Sequence, residues 1–353
     1  MESAKHKPRY LLNKEGDFVI TDYNYSKPLA NFFPGIAGKY GIPMWVFYVN
    51  RGQAVCSFGT DGKDGAILEF HAANKAWQTA SLLGFRTFIK GRKSGKEFFY
   101  EPFHNGLANR SYRLQNSLSM SCCDLSLCES NATLGLEVNV NYFSIPQESF
   151  AALARIVRIR NTGKQKIRLE LLDGLPQIVP YAENNWCLKE MSRTIEAWMR
   201  VENLENGIPV YRLAVDPGDR PQVVHIEKGN FYLGFTQEGK KARILKPIVD
   251  PDCIFGQITD FSAPRNFLSA SWPKYTQSQQ TGSRTPCGFL DLSVVLGPGE
   301  EKAINTVVGT IRKMDLLPGI ASRVVQPSYL ENKSRENRRL ISELGSQLCP
   351  SLI

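Results

Sequence analysis

Apolar and charged residues alternate with a period of two through much of this chain of 353 residues. In "KIRLELL", Lys166, Arg168 and Glu170 alternate with apolar residues. Successive side chains of a strand point to opposite faces, so the pattern indicates strands with one wet face. Many such segments and few helical ones predict an all-β fold, a large antiparallel β-sandwich. The other alternating segments, separated by turn-forming clusters of Gly, Pro, Asn and Asp, are "LGLEVNVNYFSI", "GNFYLGFTQ", "FLDLSVVLGPGEEKAINTVVGTI" and "PQVVHIEKG".

Three short segments indicate how the chain reverses direction. The turn residues Asn161 to Lys164 predict a hairpin between "RIVRIR" and "KIRLELL", because Gly163 can take a positive φ without steric cost. The segment "GPGEE", from Gly297 to Glu301, suits a tight exposed reversal. The basic segment "FRTFIKGRKSGKEFF" is interpreted as a solvated hairpin end. By contrast, "MWVFYV" is apolar on both faces and predicts a central strand.

One late segment, "QPSYLENKSRENRRLISELGSQL", predicts a helix. Ser328 and Glu331 form a capping-box pattern, and one face carries Leu340, Ile341, Leu344 and Leu348. This stripe requires a partner, either the sandwich itself or a further domain that follows in a longer protein, and we favour the further domain. The resulting division is a leader at 1–26, a sandwich at 27–326, and a linker helix with a truncated end at 327–353.

Bulk properties narrow the functional class. No apolar run is long enough to span a membrane, and the first residues lack the apolar centre of a signal peptide, so we expect a cytoplasmic protein without a membrane partner. The eight scattered cysteines predict free thiols. Adjacent cysteines in "CCDLSLC" would point to opposite faces of a strand, so no metal site is expected. The net charge of +9 is diffuse and accompanies no nucleic-acid-binding motif.

Motifs for nucleophilic or nucleotide chemistry are absent from the sequence, and its four histidines lack metal-ligand spacing. Asp173, Asp250 and Asp252 are candidates for paired carboxylates, but Asp-Gly and Asp-Pro also favour turns. Sugar binding would need exposed aromatic faces. Trp186 and Trp198 flank "CLKEMSRTIEA", an irregular segment that could cross a sheet edge. The possible aromatic platforms are Trp45, Tyr48, Trp77, Trp186, Trp198 and Trp272.

Six segments taken together are informative: "PGIAGKYGIPMWVFYVNRGQAVCSFG", "KDGAILEFHAANKAW", "LLGFRTF", "LLDGLPQIVPY", "MSRTIEAWMRVENLENGIPVYRL" and "PIVDPDCIFG". They resemble the N-terminal part of inverting glycoside phosphorylases of the cellobiose-phosphorylase type (glycoside hydrolase family 94), most closely the 1,2-β-oligoglucan phosphorylases. The resemblance covers about Lys27 to Leu348 and implies a galactose-mutarotase-like super-sandwich followed by linker helices.

The resemblance also implies an activity, in which inorganic phosphate attacks the end of a β-glucan and releases glucose 1-phosphate with inversion. The catalytic acid and the phosphate pocket lie in an (α/α)6 barrel that this sequence does not contain, so no catalytic residue is carried over and no cofactor is expected beyond phosphate as co-substrate of the complete enzyme. The expected partners are a β-glucan oligosaccharide, a missing or separately encoded barrel and a possible second copy in a homodimer. A stand-alone carbohydrate-binding sandwich and an inactive gene fragment are the alternatives.

The candidate contact residues lie at one turn. Asn50, Arg51 and Gln53, with the neighbouring Trp45 and Tyr48, are expected to face the barrel or its ligand, because a charged and amide-bearing turn would present donors at one edge of the strand pair. The alternative is that Gly52 only allows the turn and that Arg51 pairs with a nearby acid.

Overall fold

The computed structural model describes residues 7–33, 41–93, 95–106, 109–218, 221–239 and 241–348. Within them the helices are α1 (Ala73–Leu83), α2 (Asp252–Phe255), α3 (Trp272–Tyr275), α4 (Leu317–Val324) and α5 (Tyr329–Leu348). The strands, β1 to β19 in chain order, are Arg9–Leu12, Phe18–Thr21, Ala30–Phe33, Met44–Val49, Val55–Thr60, Ala66–Leu68, Arg86–Lys93, Lys96–Tyr100, Leu114–Met120, Asp124–Asn131, Leu136–Ser144, Ala151–Asn161, Ile167–Leu175, Met199–Glu202, Val210–Leu213, Gly229–Glu238, Lys241–Leu245, Gly288–Leu296 and Glu301–Ile311.

These strands form three antiparallel sheets. The large sheet has the order β1-β2-β9-β10-β11-β12-β19-β16-β15-β14, with β17 also paired to β16. Two four-stranded sheets have the orders β18-β13-β7-β8 and β3-β4-β5-β6. One apolar core joins residues from all three sheets, including Val46, Val140 and Leu171. The expectation of a large antiparallel β-sandwich is therefore confirmed.

The predicted hairpin at Asn161 to Lys164 is wrong, because the two strands beside it lie in different sheets. β12 pairs with β11 and β19, whereas β13 pairs with β18 and β7. The reversal at Gly297 likewise connects β18 in a small sheet to β19 in the large one. The two connections support each other, since the Asn161 N–H donates to Glu300 O at 2.9 Å and the Gly299 N–H donates to Asn161 O at 2.8 Å.

Two other local predictions hold, whereas the predicted leader contains part of a sheet. β7 and β8 form the expected hairpin, although Arg86 at its base is fully buried against Glu101 rather than solvated. β4 is an inner strand of its sheet, between β3 and β5. Within the segment predicted as a leader, β1 and β2 belong to the large sheet, so that sheet begins before residue 27.

Helices and loops cover the outer faces of the sheets. α4 and the start of α5 pack on the large sheet, and α1 packs on the β3-β4-β5-β6 sheet. α5 docks on the sandwich through Asn337, whose Nδ2 donates to Cys123 O at 3.2 Å, and through an ion pair of Arg338 with Asp124. Farther along this helix Leu344 is exposed, and the side chain of Leu348 lies outside the described part. None of the helices described is both long and apolar enough to cross a membrane.

Candidate functional site

The turn between β4 and β5, from Asn50 to Gln53, faces into the sandwich. Gly52 has a φ of 53°, which explains the need for glycine. Asn50 is fully buried and fastens two neighbouring segments, because its Oδ1 accepts from the Leu29 N–H at 2.8 Å and from Trp77 Nε1 at 3.0 Å. Arg51 stacks over the Trp77 ring at 4.1 Å and donates to Tyr23 O at 3.0 Å, so it pairs with a ring and a carbonyl instead of an acid.

Gln53 belongs to a polar network between the two layers of the sandwich. Its Nε2 donates to Thr87 Oγ1 at 2.9 Å, and its Oε1 accepts from Arg155. Tyr48 is buried beside Phe33, and Trp45 is half-buried with its Nε1 donating to a backbone carbonyl at 3.1 Å. The structure thus places Asn50, Gln53 and Tyr48 inside the protein, where each contacts neighbouring segments of this chain.

The aspartates considered for paired-carboxylate chemistry have structural partners. Asp173 is fully buried and accepts from Arg155. Asp250 and Asp252 both bind Arg284, at 2.8 and 2.6 Å. Their carboxylates are therefore engaged in ion pairs, which agrees with a structural role.

A cleft lies where the segment 177–199 passes between β6 and the strand that begins at Gly288. It has a volume of about 230 Å³. Its position follows from backbone hydrogen bonds of two lining residues: the Val179 N–H donates to Ile67 O and the Ile178 N–H donates to Pro286 O, both at 2.8 Å. The lining residues are Glu69, Gln177, Ile178, Val179, Glu183, Leu188, Ser192, Arg193, Ile195, Glu196, Met199 and Thr285.

The wall of this cleft is the irregular segment that the sequence indicated between Trp186 and Trp198. A π-helical turn covers Cys187–Met191 and a 3-10 helix covers Ser192–Trp198. A small apolar cluster that includes Cys187 and Ile195 anchors the segment. Ser192 has a φ of 48°, and Ala182, directly before Glu183, has a φ of 76°. The backbone is strained at both positions, because a non-glycine residue rarely adopts a positive φ.

Three carboxylates converge on the cleft. Glu196 is fully engaged, with Oε1 accepting from Thr285 Oγ1 at 3.0 Å and Oε2 accepting from Arg193 at 3.2 Å. Glu69 lies 3.5 Å from His71 Nε2. Glu183 is only 3% exposed, and its Oε2 has no hydrogen-bond partner among the residues that the structure describes. Burial, followed by the charges of Glu69 and Glu196, raises the pKa of Glu183 to about 8.

The surroundings of the cleft add an aromatic ring and positive charges. Trp186 is 60% exposed, the most exposed tryptophan in the part of the chain described here, and lies three residues after Glu183. The Asn185 N–H donates to Asp64 Oδ1 at 2.9 Å and so holds this stretch beside β6. Burial lowers the pKa of His71, the charge of Glu69 raises it, and the charges of Lys75 and Lys189 lower it further. These two ammonium groups therefore lie near His71.

Sequence reasoning missed Glu69, Glu183 and Glu196 as a group. They lie up to 127 positions apart in the chain and show no motif spacing. One sequence feature that points to this site is the irregular segment around Trp186. The other is that three of the segments that resemble phosphorylases line the cleft, namely "KDGAILEFHAANKAW", "LLDGLPQIVPY" and "MSRTIEAWMRVENLENGIPVYRL". No group of three or more His, Cys, Asp or Glu suited to a metal ion occurs among the described residues.

No family model matches the chain, and no curated protein sequence does. Among solved structures, a candidate kojibiose phosphorylase from human microbiome matches with 8% identity and a TM-score of 0.37 over 89% of this chain and 31% of its own. A polysaccharide lyase matches with 10% identity and a TM-score of 0.41, over 80% and 34%. A galactose mutarotase-like protein from Clostridium acetobutylicum matches with 8% identity and a TM-score of 0.38, over 87% and 98%. The chain thus spans about a third of the phosphorylase and lyase chains.

Proposed function

We propose that this chain is a carbohydrate-binding β-sandwich of a glycoside-phosphorylase system that acts on β-glucan oligosaccharides, and that the cleft at Glu183 binds one sugar unit. The observation that carries the proposal is a cleft lined by a buried carboxyl group, Glu183, one oxygen of which has no partner among the described residues. The exposed Trp186 lies three residues farther along the chain. Sugars offer many hydroxyls to polar side chains and apolar ring faces to aromatic ones.

Size and position agree with this proposal. Pockets for drug-sized ligands measure roughly 300–1,000 Å³, so a cleft of about 230 Å³ suits one sugar ring better than a whole oligosaccharide. The cleft also lies where the segments that resemble phosphorylases meet, which favours a glucan as the ligand. Phosphorolysis would then require the (α/α)6 barrel, which supplies the catalytic acid and binds inorganic phosphate in proteins of that type.

Binding is tested by titrating the whole chain with sophorose, the β-1,2-linked glucose disaccharide, and following tryptophan fluorescence and heat. We expect saturable binding that Trp186→Ala weakens about tenfold, as the loss of a stacking contact worth about 1.4 kcal/mol predicts. Tyr10→Ala is the matched control, because Tyr10 is also about half exposed, at 52%, but lies on β1, at the opposite edge of the large sheet from β14. Equal losses in both variants, or no binding of sophorose, cellobiose or longer β-glucans, would refute the proposal.

The need for a barrel is tested separately by phosphate release from glucose 1-phosphate with a β-1,2-glucan acceptor. We expect no turnover from the chain alone and turnover when a barrel domain is supplied. Turnover by the chain alone would show that the catalytic group lies within these 353 residues.

A further inference from the structure

Among the carboxylates of the cleft, Glu183 alone has an oxygen that is buried and lacks a partner within the described residues. The side chain is 97% removed from solvent and lines the cleft. Leaving a buried polar atom unpaired costs about 1–3 kcal/mol. A ligand that supplies the missing hydrogen bond would recover this free energy, so Oε2 of Glu183 offers a ligand in the cleft one open hydrogen-bonding position.

The neighbours determine which kind of ligand group fits there. Both oxygens of Glu196 accept hydrogen bonds from protein groups, and Glu69 faces His71. Two negative groups next to a buried carboxyl group favour its neutral form, which is consistent with the raised pKa of Glu183. A protonated carboxyl group is a hydrogen-bond donor, whereas an ionised one only accepts. The titratable and charged groups around Glu183 are Glu69, His71, Cys187, Lys189, Arg193 and Glu196.

We infer that Glu183 binds the sugar as a neutral carboxylic acid, donating its O–H to a ligand oxygen, and that it makes the cleft selective for neutral sugars over glycosyl phosphates. This inference rests on the proposed function. A phosphate group beside Glu183 would meet Glu69 and Glu196. The cation that lines the cleft, Arg193, is 88% exposed and already pairs with Glu196, so its attraction is screened by solvent and the phosphate is repelled. The donor role also makes binding dependent on pH, because the ionised form of Glu183 has no proton to donate.

The test compares the whole chain with its Glu183→Gln variant, in sophorose titrations at pH 6 and pH 9.5. Glutamine keeps an N–H donor in nearly the same place and does not ionise. With a pKa of about 8, roughly one molecule in thirty stays protonated at pH 9.5. We therefore expect affinity to fall roughly thirtyfold in the wild type and to change by less than about threefold in Glu183→Gln. Glucose 1-phosphate at pH 7 should bind at least about tenfold more weakly than sophorose.

The controls separate this inference from the proposed function. Trp186→Ala should lower affinity by the same factor at both pH values, because an indole ring does not titrate, and circular dichroism at each pH verifies the fold. If sophorose binds but the wild type and Glu183→Gln show the same pH profile, the donor role is wrong while the carbohydrate site stands. Tighter binding of sophorose at pH 9.5, or equal affinity for glucose 1-phosphate, would also overturn it. If no sugar binds to folded protein at either pH, the proposed function itself fails.

Discussion

The buried ion pair of Arg155 with Asp173 connects the two layers of the sandwich, and its disruption gives a sharp prediction. Arg155 lies on β12 in the large sheet and Asp173 on β13 in the facing sheet, and both are at most 1% exposed. The guanidinium Nη2 donates to Asp173 Oδ1 at 2.9 Å and to Thr87 Oγ1 at 3.2 Å, while Nε donates to the Tyr142 hydroxyl at 3.2 Å. The guanidinium also lies 4.8 Å from the centre of the Phe85 ring.

Replacement of Asp173 by Asn keeps the side-chain volume and leaves the Arg155 charge buried without a counter-charge. Removing one partner of a buried pair costs about 3–5 kcal/mol. Unfolding entropy is about 2.1 cal/mol/K per residue, which gives about 0.7 kcal/mol/K for 353 residues. The melting temperature of Asp173→Asn should therefore fall by about 4 to 7 °C.

The assay is thermal and urea unfolding of Asp173→Asn beside Glu97→Gln. Glu97 forms the same kind of pair with Arg92, at 3.0 Å, but the two side chains are 80% and 67% exposed. Exposed pairs contribute about 0–1 kcal/mol, so Glu97→Gln should change the melting temperature by less than about 1.5 °C. A double variant, Arg155→Met with Asp173→Leu, should recover part of the lost stability, since no unpaired charge remains. If Asp173→Asn melts no lower than Glu97→Gln, the buried pair is not what couples the layers.

Three further outcomes are expected. Gly52→Ala should destabilise the protein by more than about 2 kcal/mol in urea unfolding, because φ is 53° and the new Cβ would lie 2.9 Å from Ser81 Cα. Gly16→Ala is the control and should cost only about 1 kcal/mol, because φ is 83° there but the space around the new Cβ is open. The pKa of Glu183 is raised from 4.5 to about 8, so the contribution of its neutral form to the stability of the fold is fully present below pH 4.5 and is lost as the pH rises through 8. Glutamine does not ionise, so the free energy of unfolding of Glu183→Gln minus that of the wild type should be about 3–5 kcal/mol larger at pH 9 than at pH 4. Native maleimide labelling followed by peptide mass spectrometry should find exposed Cys122 modified before buried Cys187 and Cys287, and equal rates would contradict the burial of those two thiols.

The period-two pattern was sufficient to predict the strands but not their partners. Alternation at β12 and β13 indicates which side chains face inward, and the Asn161 to Lys164 turn indicates that the chain reverses there. Whether such a reversal returns within one sheet or crosses to the facing sheet depends on contacts distant in sequence. Here β19 and β18 take the places beside β12 and β13. A local pattern contains no information about these partners, and the hairpin prediction failed for that reason.

The same distinction between local and distant information explains the site. The turn at Asn50 to Gln53 looks like a surface because charged and amide residues usually lie outside, yet Asn50 and Gln53 satisfy buried backbone and side-chain groups that belong to other segments. Glu183 is the opposite case, since nothing in "YAENNW" distinguishes a carboxylate that will be buried. Its pKa is raised only when the fold buries it and brings Glu69 and Glu196 beside it. Carboxylates that are distant in sequence and perturb one another's pKa show no local motif. The sequence therefore indicated this site only through the irregular segment between Trp186 and Trp198, which was expected to cross a sheet edge.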